Sequence, residues 1–297
     1  KILNRKLQFP KKMDSKARSI VITGSNKGIG FELAKRLLKN SSKPKIILTS
    51  RNETLGKEAL NELITQNPDS KEQLYYHVLD ITKKETYAPF AEWIKSTFGK
   101  IDVLVNNAAI VAKGESTPTY KASLEDAQSV LGTNYISTRE FTEYILPYLS
   151  DDGKIINVSS SMGLYSGQGK ALLKKFTDPN FGAKDIQGVY ESFMETVRKQ
   201  NFEEAEMTGS SYRVSKALVN AWTYHVLKDA VKGDQQAYCM CPGWCKTDMG
   251  GENATKSADE GPVTIEYLID LPYKSNPETN GKFFRDNQLV SFVDYAQ

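Results

Sequence analysis

The sequence predicts an α/β protein: one doubly wound domain, with a parallel sheet of about seven strands covered on both faces by helices. Three observations predict it. Short apolar, β-branched runs alternate with longer amphipathic stretches through most of the chain. Parallel neighbours need a crossover, usually a helix, so that rhythm implies helical layers on both sides of a sheet. The 297 residues also hold no low-complexity linker, internal repeat or composition break at which a second domain would begin.

The elements follow in order. A strand at 19–23, "SIVIT", runs through a glycine-rich turn into a helix at 29–39. Strand 45–50 leads to helix 55–66, strand 73–79 to helix 84–98, and strand 101–106 to a long helix at 124–149. Strand 154–159 is followed by a break in the rhythm of about fifty residues. Within it Ile186, Val189, Tyr190, Phe193, Met194 and Val197 fall at helical spacings, so the insertion at about 164–208 reads as packed helix. A helix at 212–231, a strand at 236–241, a helix at 257–271 and a last strand at 288–293 complete the domain, taken as 19–297.

Composition excludes several function classes. Apolar content of 39% and charged content of 25% are ordinary for a globular domain. No run approaches eighteen apolar residues, so no membrane span is expected. A net charge of +3 gives no case for nucleic acid. Cys239, Cys241 and Cys245 are an odd, clustered set that makes no disulfide framework, which points to a reducing, cytoplasmic setting. No fourth cysteine or nearby histidine completes a metal site around them. His77 and His225 lie in apolar contexts and form no Ser-His-Asp pattern. Residues 1–18 are basic and lack an apolar signal core; they read as a solvated extension, with an organelle transit peptide as the alternative.

Chemistry begins at "TGSNKGIG". Gly24, Gly28 and Gly30 sit between a first strand and a helix, where missing side chains let backbone approach a pyrophosphate and the helix N-terminus offers N–H groups. Asn26, Lys27 and Ile29 belong to the same loop, which is no Walker loop because Gly-Lys-Ser/Thr is absent. An acid about twenty residues further on would favour NAD; here the second strand ends on Arg51, and Lys27 adds a second cation. A guanidinium suits a phosphate, so the expected cofactor is NADP(H). Asp80, ending the third strand, either accepts from the adenine amino group or caps the "DITKKE" turn. A methyltransferase can show a similar glycine turn, but it would explain neither Arg51 nor the pair Tyr212 and Lys216.

That pair lies in "GSSYRVSKALVN", four residues apart and so on one helix face. A free phenol titrates near pH ~10, and a nearby cation lowers it by roughly 1–3 units. Lys216, helped by an oxidised nicotinamide ring, is expected to bring Tyr212 into the range of general acid–base catalysis.

"TGSNKGIG", "NNAA" at 106–109, "NVSSSMG" at 157–163, "YRVSK" at 212–216 and "CPGWCKTDM" at 241–249 stand in the order and spacing of the short-chain dehydrogenase/reductases, which the chain resembles from about residue 19 to 291. The long spacer before Tyr212 and "CPGW" resemble the monomeric carbonyl reductases within that family, with plant menthone- and salutaridine-type reductases similar. The resemblance implies a Rossmann-type reductase fold and a catalytic set of Asn134, Ser160, Tyr212 and Lys216. Asn134 would kink the long helix, Ser160 would bind the substrate oxygen, and Lys216 would also reach the nicotinamide ribose. Asn106, Ala108, Pro242, Gly243 and Thr247 would complete the cofactor contacts. Ala109 departs from the glycine usual there. Met162, Trp244 and Met249 would give an apolar substrate wall, and Cys241 reads equally as a reactive thiol or a buried strand end. The implied activity is NADPH-dependent reduction of a ketone, aldehyde or quinone by a monomer. The alternatives are an alcohol dehydrogenase run in the oxidative direction and a non-catalytic NADP sensor.

Overall fold

Alternation in the strands sets the layers. The computed structural model describes residues 17–293 apart from 116 and 118. β1 (Ser19–Ile22) sends Ile20 and Ile22 to one face of the sheet and Val21 to the other. β2 (Lys45–Ser50), β3 (Leu74–Val78), β4 (Ile101–Asn106), β5 (Leu149–Val158), β6 (Gln236–Cys241) and β7 (Phe283–Arg285) join it in parallel, and β8 (Gln288–Val290) closes the edge antiparallel to β7. The order is β3-β2-β1-β4-β5-β6-β7-β8. The winding reverses between β1 and β4, and in open α/β sheets ligands bind at that point, beyond the strands' carboxyl ends.

One face is covered by α1 (Gly28–Leu37) and α2 (Glu53–Gln66), through Leu33, Leu37, Ala59 and Leu63, together with Ile265 and Leu268 from a helix near the C-terminal end. The other carries α3 (Tyr87–Phe98), α4 (Leu124–Leu131), α5 (Thr138–Ile145), α6 (Lys170–Phe176), α7 (Ala183–Lys199) and α8 (Ser211–Trp222). A short α9 (Lys228–Ala230) and α10 (Val263–Asp270), which bears Ile265 and Leu268, finish the set.

Several boundaries differ from the sequence reading. The two long helices are interrupted by π turns at Gly132–Ser137 and Thr223–Leu227, and the first ends before Leu149, which already belongs to β5. The seventh parallel strand is Phe283–Arg285; its three residues are too short for a periodic signal, and the expected strand 288–293 is the hairpin return instead. Arg18 belongs to the folded domain, paired with Asp102 at 3.1 Å and Asp152 at 2.8 Å, while residues 1–16 of the basic extension lie outside the described residues. The three cysteines face different partners: Cys239 Sγ donates to Thr223 Oγ1, Cys245 Sγ to the Pro242 carbonyl, and Cys241 Sγ accepts from Gly243 N–H.

The insertion is helical. Ile186, Val189, Phe193, Met194 and Val197 make one buried stripe on α7, which packs on α8 and α4; Tyr190 on the stripe's border is half-buried. At its end Gln200 adopts a left-handed conformation (φ 53°), and its amide donates to the carbonyls of Val197 (2.8 Å) and Ala122 (2.9 Å). This ties the insertion to the segment entering α4.

Candidate active site

Six strand ends deliver the site. A cleft of about 430 Å³ opens over them, lined by Gly24, Asn26, Lys27, Gly28 and Ile29 after β1, Arg51 after β2, and Asp80 after β3. Asn107, Ala108 and Ala109 follow β4, Ser159 follows β5, and Pro242, Thr247 and Met249 follow β6; Tyr212 and Lys216 form the inner wall from α8.

Gly24 turns the chain at φ 62°, a conformation that L side chains resist, and a Cβ there would press within 3.0 Å of Ala108. α1 then starts with no side-chain cap, so its first N–H groups and positive dipole end face the cleft. Gly30 is buried one turn on, against the Asn107 amide. That amide donates to the carbonyls of Thr23 (2.9 Å) and Gly24 (3.0 Å) and fixes the loop's path. Arg51 is exposed on the lip and makes no ion pair among the described residues. Lys27 reaches across the mouth to Asp248 at 2.6 Å. Asp80 faces the cleft, but one carboxylate oxygen already accepts from Thr82 N–H (3.0 Å) and Oγ1 (2.7 Å), so the turn-capping role is present.

Asn106 is corrected. It is 6% exposed and donates into the core, to Thr142 Oγ1 and Asn157 Oδ1, both at 2.8 Å. Its neighbour Asn107 faces the cleft, because successive residues leave a strand on opposite sides.

The four residues expected to be catalytic lie around the start of the helix that carries Tyr212. Ser210 caps α8, its Oγ accepting from Arg213 N–H at 3.0 Å, which starts the helix one residue before Tyr212. The Ser160 hydroxyl lies near the Tyr212 phenol, where it favours the ionised form, and accepts from Met162 N–H at 3.1 Å. Lys216 is buried, its Nζ 5.5 Å from the centre of the tyrosine ring and donating to the Val158 carbonyl at 2.8 Å. Asn134 sits in the π turn that interrupts the long helix. Its side chain accepts from Ile110 N–H and donates to Ile110 O, both at 2.8 Å, and reaches Ser215 Oγ at 3.2 Å.

Among the protein's own groups, burial dominates the phenol's acidity. Burial pushes Tyr212 above the ordinary phenol value; the nearby Cys241 thiol and the Glu115 carboxylate push the same way, and only the neighbouring Ser160 hydroxyl opposes them. Burial also lowers the Lys216 ammonium to about 8. At that value Lys216 stays largely charged at neutral pH, with its ammonium turned to a main-chain carbonyl.

The substrate wall is only partly as expected. Met249 lines the cleft, and Met162 is half-buried beside Ser160. Trp244 is 53% exposed, with its indole N–H held by the Gly250 carbonyl at 2.8 Å, so it is a rim residue. Gly243 stands against the Lys256 side chain, outside the lining. Thr247 lines the cleft while its hydroxyl accepts from Gly250 N–H at 3.1 Å. Sequence reasoning missed Asn107, Ser159 and Glu115. The first two flank motif residues and were legible one position away; Glu115 carried no local signal.

A glycine-walled cleft at the switch point, with tyrosine and lysine on its inner wall and Ser160 near the tyrosine, is the arrangement of a short-chain dehydrogenase, and the chain belongs to that family. The short chain dehydrogenase family model matches residues 18–172. Among individual relatives, the chain is 30% identical to carbonyl reductase (NADPH) 1 of Oryctolagus cuniculus, across 93% of this chain and 99% of that protein. It is 32% identical to salutaridine reductase of Papaver bracteatum, across 94% and 97%. Of solved structures, salutaridine reductase from Papaver somniferum superposes with a TM-score of 0.77 at 32% identity, covering 91% of this chain and 99% of that one. Menthone neomenthol reductase from Mentha piperita gives 0.73 at 26%, covering 92% and 99%.

Proposed function

We propose that this protein reduces a ketone, aldehyde or quinone with NADPH. The observation that carries the reading is Tyr212 and Lys216 on the wall of a cleft shaped for a dinucleotide, with the Ser160 hydroxyl near the phenol. The residues present fit that cofactor. The uncapped start of α1 and the turn at Gly24, which a side chain would fill, suit a pyrophosphate, and Arg51 with Lys27 suits a ribose phosphate. Asn26, Ile29, Ala108, Pro242 and Thr247 line the remaining length. The named relatives support both cofactor and reaction class.

NADPH, when bound, supplies the hydride, and its oxidised ring brings positive charge to the site. The chain's own residues do the rest. Ser160 and Tyr212 offer two O–H donors to the substrate oxygen, stabilising negative charge as it develops. Tyr212 then gives up its proton. A buried phenol with a raised pKa keeps that proton across neutral pH, which suits an acid awaiting a carbonyl. Lys216, held by Val158, stands ready to donate to ribose hydroxyls. Asn134 fixes the cleft loop at Ile110 and the catalytic helix at Ser215. Met162 and Met249 give the substrate adaptable apolar contact.

Arg51→Glu tests the cofactor assignment. It should lower kcat/KM with NADPH by about 10–100-fold, the worth of a charge-assisted phosphate contact, and should leave the NADH value nearly unchanged. Equal losses with both cofactors would refute the role of Arg51.

The reading includes a monomer in a reducing, cytoplasmic compartment. α7 covers the outer surface of α8 and α4, where a partner's helices would otherwise dock. Cys239, Cys241 and Cys245 are all free thiols. Among the described residues no helix is long and apolar enough to cross a membrane. Sedimentation equilibrium should return the mass of one chain; a tight dimer or tetramer would overturn this part.

A further inference from the structure

Glu115 lies in the loop between β4 and α4 and is 5% exposed. Its carboxylate accepts from Tyr212 N–H at 2.6 Å, Ser210 Oγ at 2.8 Å, Ser211 Oγ at 3.1 Å and, within its own loop, Ala112 N–H at 3.1 Å. A buried carboxylate is costly unless donors replace its water, and here they do. The start of α8 gains a negative charge where its dipole is positive. Capping alone does not explain the arrangement, because Ser210 already satisfies Arg213 N–H. What Glu115 adds is a long-range tie. The cleft-lining residue Ile110, next to Val111, is held on one side by Asn134, which also reaches Ser215 of α8. Glu115 holds the other end of the same loop to Tyr212.

We propose that Glu115 is a positioning residue for Tyr212, fixing the first turn of α8 to the cleft loop so that the phenol and the Ser160 hydroxyl meet one substrate oxygen. The inference rests on Tyr212 being the proton donor. The groups facing Tyr212 are Cys241 from β6, Ser160 after β5, Lys216 on α8 and Glu115 from the loop. Tyr120, bonded to Asp126 at 3.0 Å, faces Glu115 from the same loop. Glu115 is the anion among those around the phenol, so it also opposes the phenol's ionisation.

The test uses the full chain, NADPH and a ketone that the wild type reduces. Glu115→Gln keeps an oxygen for Tyr212 N–H but turns an NH2 toward Ala112 N–H, so one end of the tie is lost. Melting temperature should fall by a few degrees, since Ala112 N–H loses its acceptor, while NADPH affinity should hold, KM should change little, and kcat should fall by ~10–100-fold in the folded protein. The pH above which reduction declines should move lower, since a negative charge beside the phenol is gone. Glu115→Asp keeps the charge but not the reach; it should lose kcat without moving that pH limb, and it serves alone if the glutamine variant does not fold. Unchanged kcat in either variant, or a loss explained wholly by the unfolded fraction with the limb in place, overturns the proposal provided Tyr212→Phe is inactive. An active Tyr212→Phe would instead refute the site reading on which it rests.

Discussion

Tyr212→Phe is expected to lower turnover by ~10²–10⁴-fold, the usual worth of a positioned acid, with NADPH affinity unchanged. The substitution removes one oxygen and leaves the ring, its packing on α8 and the cap at Ser210 in place. Lys216 would not move, because its nitrogen is anchored to the Val158 carbonyl and not to the phenol. Ser160 would keep its bond to Met162 N–H and remain a lone donor, enough to bind a carbonyl but not to protonate it. Steady-state kcat with a fluorescence titration of NADPH separates the two effects. Near-normal kcat would place the proton donor elsewhere.

Gly163→Ala should damage stability and turnover together. A Cβ at this position would stand 2.6 Å from the Lys216 carbonyl carbon, 2.7 Å from Lys216 Cβ and 2.9 Å from Ala217 N. Two of these atoms are main chain of the catalytic helix, which has no side-chain freedom with which to retreat. Overpacking of this kind costs about 1–3 kcal/mol, which lowers Tm by several degrees. The same displacement separates the turn Ser161–Gly163, and Ser160 at its start, from α8. A shift of that order at reacting groups costs ~10²-fold in rate. Thermal melting and kcat measured on one preparation check both arms. An alanine variant with wild-type Tm and kcat would mean that the loop and helix are not in the contact described.

Much of this was legible in the sequence, for identifiable reasons. Tyr212 and Lys216 share a helix face because they are four residues apart, a local rule that packing rarely overrides. The glycine loop announced itself because glycine types are forced where backbone must turn at φ 62° and approach a ligand. The misplaced or missed residues depend on what sequence periodicity does not encode. Asn106 and Asn107 differ by one position at a strand end, and one position reverses the face. The π turn at Asn134 adds no break to the apolar stripe of its helix. Glu115 meets Tyr212 through a contact spanning 97 residues of sequence, in a loop with no periodic signal. The acidity expected of Tyr212 rests on Lys216 and an oxidised nicotinamide ring together; burial, which the sequence pattern does not quantify, raises the phenol and lowers the lysine.

The most direct test of the central claim is isotopic. Wild-type protein is incubated with an aromatic ketone and NADPH carrying deuterium at both hydrogens of the nicotinamide carbon that gives up hydride, and the alcohol is weighed by mass spectrometry. Direct hydride transfer at the floor of this cleft predicts one deuterium on the new carbinol carbon, with NADPH consumed in equal amount. Alcohol without label, or no ketone-dependent consumption of NADPH across aldehydes, ketones and quinones, would contradict it.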